Sequence, residues 1–187
     1  MTTQQAMDDL RYLRQAVRPR RALITDAAPI AWVWAIYVLV GYPLLDFAPK
    51  AGGIFLAFGG LFAGLLSALL GRWMSRRAGE ADPAGSTRQA LHWSSIAVGV
   101  IAAMALALTG QIDASMAGQV SVLAVAMVYL TAGAHYDRWF FVLGAILAIG
   151  AVGVGLMPAL GWTTLGALLA LGLIAPTLLP RREAEAL

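Results

Sequence analysis

The residues in this chain best suited to chemistry are its two histidines, His92 and His135. Each stands where an apolar run meets a polar turn, with Trp93, Tyr136, Asp137 and Arg138 close by in the chain. If the runs they border lie antiparallel, both imidazoles reach the same membrane surface, where they could serve a metal ion, a haem or a pH-responsive contact. Asp137 would then offer a third ligand. Two imidazoles are a small set, however, and histidine at a helix end also acts simply as an interfacial anchor facing water and headgroups. That plainer role carries more weight here.

Other chemistries are poorly served. There is no cysteine, which removes disulfides, thiolate metal sites and cysteine nucleophiles. No ionisable residue falls near the middle of an apolar run, which argues against a proton-coupled transporter, a cation channel or a pump. No serine within those runs has a candidate base at its depth, and neither a phosphate-cradling loop nor a metalloprotease helix occurs. The reading is therefore a non-enzymatic protein that needs no cofactor. A ligand site, if there is one, would use Trp32, Trp34 and Tyr37 as an aromatic wall for an apolar or planar molecule, with Gln119 as its polar contact. Packing is the commoner use of such aromatics, and Gln119, Ser121 and Thr131 more often bond backbone or a neighbouring helix.

The elements that must carry these residues follow from composition. Of the 187 residues, 60% are hydrophobic and 12% charged, against about 25% charged in soluble domains. So much apolar surface needs lipid as its solvent, which defines an all-α polytopic membrane protein. The runs predict six transmembrane helices arranged as three hairpins, at about 27–47, 51–70, 91–109, 115–134, 139–156 and 160–179. About twenty residues at 1.5 Å each match a hydrocarbon core of roughly 30 Å. Residues 1–22 precede this bundle of 23–180, and 181–187 form a charged tail. Gly71–Trp93 is the one substantial polar connection, with Arg72, Arg76, Arg77 and Arg88 and a turn-forming Asp82-Pro83-Ala84-Gly85-Ser86.

Charge orients the bundle. Arg11, Arg14, Arg18, Arg20, Arg21, the central arginines, Arg138, Arg181 and Arg182 fall on one side, and the other has only Lys50. This asymmetry places both termini and the central connection in the cytoplasm of a bacterial inner membrane. The arginines flank membrane spans, so no nucleic-acid partner is inferred from the basic balance. Trp73, Trp93 and Trp139 would line the inner interface, and Tyr42 and Trp162 the outer one. Residues 3–18 predict an amphipathic helix, too short and charged to span, with Ala6, Leu10, Leu13 and Val17 on one face. Leu10, Leu13, Arg14 and Val17 are the candidate contacts to the bilayer or to a cytoplasmic protein partner. Small residues at four-residue spacing (Ala27, Ala31 and Ala35; Gly60 and Gly64; Gly99, Ala103 and Ala107; Gly166 and Ala170) suit close packing within the chain, with a homo-oligomer face as the lesser use.

Asp9-Leu10-Arg11-Tyr12-Leu13-Arg14, followed by Trp32, Trp34 and Gly41-Tyr42, resembles a group of uncharacterised bacterial multi-span inner-membrane proteins with a short N-terminal cytoplasmic helix. The likeness covers about the first quarter of the chain and implies a bacterial membrane protein without assigning catalytic residues. Six spans in so short a chain, with the Ala27, Ala31, Ala35 spacing, are also similar to the substrate-binding subunits of energy-coupling-factor vitamin transporters. The functional expectation is a regulatory, sensory or scaffolding role through the cytoplasmic face. The alternatives are a small-molecule-binding transport subunit and a haem- or metal-binding membrane protein.

Overall fold

The computed structural model describes residues 27–78, 83–157 and 159–178. The segment 3–18, with Leu10, Leu13, Arg14 and Val17, and the tail 181–187 lie outside the described residues. Six helices account for nearly all of the rest: α1 Ala28–Phe47, α2 Pro49–Ala78, α3 Pro83–Leu108, α4 Ala114–His135, α5 Arg138–Leu156 and α6 Gly161–Leu178. All six are long and apolar enough to cross a membrane. Among the described residues the protein is all-helical, a membrane protein with six helices of membrane-crossing length.

Local chemistry sets the helix ends. Asp113 caps α4, its Oδ1 accepting from the Met116 amide at 2.8 Å, and Asp137 caps α5 by accepting from the Trp139 amide at 2.9 Å. Helix α3 ends at Leu108 and the chain turns away at Gly110, whose φ of 73° suits glycine; the Gln111 amide reaches Leu106 O at 2.9 Å and the Gly110 amide reaches Ala107 O at 3.0 Å. The links are short. Ala48 alone separates α1 from α2, and Tyr136-Asp137 separates α4 from α5.

The central polar connection differs from its sequence reading. Helix α2 does not stop with its apolar run near residue 70 but continues to Ala78, carrying Arg72, Arg76 and Arg77 on helix. Helix α3 begins at Pro83, so most of the expected turn is helical as well. Proline suits a first helical position because its missing N–H would be unpaired there anyway. Basic residues in the last turn of α2 also complement the negative end of the helix dipole.

Sequence order and spatial order diverge. Helix α2 packs on α1, α1 on α6, α6 on α5, α5 on α4 and α4 on α3, giving a spatial row 2-1-6-5-4-3. The three hairpins are present, and the first and last helices are neighbours within the row. Successive helix axes 8–10 Å apart would place the ends of a straight row roughly 45 Å from each other. Residues 79–82 can bridge only about 18 Å from Ala78 to Pro83. The row therefore bends enough to hold the arginine-bearing ends of α2 and α3 within about 18 Å of each other.

The core runs through the middle of this row. Leu143 and Leu147 of α5 and Leu165 of α6 are its largest fully buried side chains. Small residues let the backbones approach, as transmembrane association requires without a hydrophobic driving force. Ala35 and Ala126 are each 1% exposed. At Gly144 a methyl group would fall 2.7 Å from Leu130 N and 3.0 Å from Ala126 O, both backbone atoms of α4. Gly166 plays the same part between α6 and α1, against the Val38 carbonyl and Tyr42 Cβ. Tyr42 and Trp162, near the end of α1 and the start of α6, are buried together with ring centroids 5.7 Å apart. Each ring finds an edge-to-face partner on a helix distant in sequence.

Candidate functional site

The candidate residues fall into three separate places. At the arginine-bearing end, His92 on α3 lies edge-on to Trp93 at 5.2 Å and to Tyr136 at 5.3 Å. Trp93, Tyr129 and Phe140 form a three-ring cluster beneath it, with centroid separations of 5.3–5.7 Å. These contacts join α3, α4 and α5. His135 sits at the last residue of α4, exposed, with Nδ1 2.8 Å from the Thr131 carbonyl of its own helix. The two histidines thus share one end of the bundle, and His92 touches the residue that follows His135. Among the described residues, no group of three or more His, Asp and Glu side chains is arranged to hold a metal ion.

Two polar atoms in this region are shut off from solvent without a hydrogen-bond partner: His92 Nε2 and Asp137 Oδ2. Asp137 spends its other oxygen on the α5 cap. Buried polar atoms are seldom left unpaired. This makes the α3 start and the α4–α5 turn the chemically unfinished part of the described chain.

The aromatic wall has a different use. Trp34 and Tyr37 face α2: the Trp34 indole N–H donates to Ser67 Oγ at 3.0 Å, and the Tyr37 hydroxyl donates to the Leu56 carbonyl at 2.7 Å. Ser67 in turn donates to Ala63 O at 2.7 Å. Tyr37 stacks on Phe55 with centroids 5.8 Å apart, and Gly60 leaves room for its hydroxyl. Their polar groups are therefore occupied between α1 and α2, inside the bundle. Trp32, on another face of α1, is 42% exposed. Gln119 lies on α4 beside Gly155 of α5. The structure does not bring Gln119 to Trp34 and Tyr37.

Two arrangements escaped sequence reasoning. Asp46, at the end of α1, caps α6 from 117 residues away: its carboxylate accepts from the Thr163 amide and hydroxyl, both at 2.7 Å, and from the Trp162 amide at 3.4 Å. A negative group there also meets the positive end of the α6 dipole. The second involves Pro176 within α6, which has no N–H to give the Gly172 carbonyl four residues earlier. The Trp139 indole N–H of α5 donates to that carbonyl at 2.8 Å. A proline inside an apolar run was the only visible signal, and it says nothing about which helix supplies the substitute donor.

All three described aspartates (Asp46, Asp113 and Asp137) are thus engaged in capping. Arg72, Arg76, Arg77, Arg88 and Arg138 are exposed at the opposite end from Lys50, and form no ion pair among the described residues. No protein-family model, curated protein or solved structure matches the chain.

Proposed function

We propose that this chain is a non-enzymatic protein of a bacterial inner membrane that regulates or scaffolds other proteins through its arginine-bearing end. The supporting observation is where the uncommitted polar groups lie. The polar atoms of Trp34, Tyr37, Ser67 and Trp139 are consumed by contacts between helices. The exposed arginines, exposed His135 and the unpaired atoms of His92 and Asp137 gather at one end. The excess of arginine there favours a cytoplasmic location for that end and for both termini. Residues 3–18 would join it, with Leu10, Leu13, Arg14 and Val17 as the arm that meets a partner. The loose likeness of the N-terminal quarter to uncharacterised bacterial inner-membrane proteins agrees with this reading. A small-molecule transport subunit has less support, because the polar groups of Trp34 and Tyr37 already have partners.

The test is a photo-crosslinking residue at 135, in intact cells carrying the full chain. A discrete protein adduct is expected, lost on Leu10→Glu with Leu13→Glu while membrane insertion is unchanged. Adducts to lipid alone would refute the reading. An undiminished protein adduct in the double variant would remove the N-terminal arm from it.

A further inference from the structure

The face of α2 turned away from α1 has an amphiphilic layout. Phe58, Leu61, Leu65 and Leu69 are 54–72% exposed, and the next turns of the same face carry Arg72 and Arg76. At 100° per residue these six positions fall within about 80° of arc. An apolar ridge thus runs along one edge of the row and ends in two guanidinium groups one turn apart.

Length places the arginines at a defined depth. Thirty residues give α2 a length of about 45 Å against a hydrocarbon core of roughly 30 Å. Counting from Pro49 at the lysine end, the core is crossed by about residue 69. Arg72 then enters the headgroup layer, and the Arg76 backbone lies about 6 Å further out, at the water side of that layer, with a side chain that tilts toward the helix N-terminus and so reaches back to it. Trp73, half exposed, belongs at that same level, and the Arg77 guanidinium lies 3.9 Å over its ring. No described acid answers these charges, since the three described aspartates are engaged as helix caps.

We propose that this ridge is a binding site for an anionic phospholipid, its phosphate held by Arg72 and Arg76 and its acyl chains laid along Leu69, Leu65, Leu61 and Phe58. Two guanidinium groups at i and i+4 can donate to one phosphate together, which zwitterionic lipids reward less because their own cation competes. The site shares Arg72 and Arg76 with the end read above as meeting a partner, but it does not depend on that reading, and purified protein without a partner suffices to test it.

The experiment is native mass spectrometry of the full chain released from nanodiscs containing phosphatidylglycerol and phosphatidylcholine with identical acyl chains. Retained phosphatidylglycerol is expected to exceed phosphatidylcholine, and Arg72→Gln with Arg76→Gln should reduce that preference about thirtyfold, from two arginines near the surface. Lys50→Gln, at the other end of α2, should leave the preference unchanged. Arg72→Lys with Arg76→Lys should restore part of it, which separates lost binding from a damaged fold. Glycerol phosphate added at millimolar concentration should not displace the lipid; full displacement would mean a phosphate site without the acyl ridge and would overturn the proposal. Equal retention of both lipids would overturn it too. So would a dimer that dissociates in the glutamine variant, since a second copy would then be the occupant.

Discussion

The indole of Trp139 replaces a backbone donor that Pro176 removes, and this coupling is open to measurement. In α6 the Gly172 carbonyl would normally accept from residue 176; with proline there, the Trp139 N–H at 2.8 Å takes its place. Trp139→Phe should strand that carbonyl. An unsatisfied buried acceptor costs about 1–3 kcal/mol, whereas measured polar contacts between transmembrane helices average about 0.6 and reach about 1.7 kcal/mol. A loss of about 1.5 kcal/mol is expected, together with a packing term for the smaller ring. In a Pro176→Ala background the new amide can bond Gly172 O within α6, so Trp139→Phe then removes a surplus partner and should lose only about 0.5 kcal/mol beyond packing. The packing term is common to both backgrounds and cancels in the cycle, leaving a coupling of about 1 kcal/mol. Pulse proteolysis across a series of SDS mole fractions in mixed micelles measures the four stabilities. If Trp139→Phe is equally damaging with proline or alanine at 176, the donor-replacement reasoning is wrong.

Asp46→Ala should destabilise the fold by about 1–2 kcal/mol through loss of the α6 cap, and Asp46→Asn by less because its amide oxygen still accepts; the same micelle titration checks both. Gly144→Ala should lose about 1–3 kcal/mol, because the added methyl meets backbone of α4 that no rotamer change can relieve. Gly64→Ala, with nothing within 4 Å, should be neutral or stabilising by up to about 1 kcal/mol from helix propensity alone. If the two glycine variants behave alike, the close approach of α4 and α5 is not what Gly144 serves. For orientation, cysteines introduced at 50 and 113 should react with an impermeant thiol reagent in spheroplasts and one at 85 should not; the reverse pattern would invert the topology.

The number of membrane helices was legible in the sequence because lipid imposes a length and polar turns punctuate it. Asp113 and Asp137, each just before a helix start, carry their capping role locally, and Gly110 marks the end of α3 in the same way. The extent of α2 was not legible from hydropathy, which falls at Arg72 while the helix runs on to Ala78. Nor did sequence show which face of each helix turns inward. In lipid a helix is apolar on every side, so periodicity cannot separate the face on α6 from the face on acyl chains. The row 2-1-6-5-4-3 was therefore decided by close approach at places such as Gly144 and Gly166, where shape rather than hydrophobicity selects the neighbour. The assignment of Trp34 and Tyr37 to α2, of Asp46 to α6 and of Trp139 to the carbonyl freed by Pro176 had the same origin. Each joins groups 19 to 117 residues apart, and only the folded arrangement brings the donor to its acceptor.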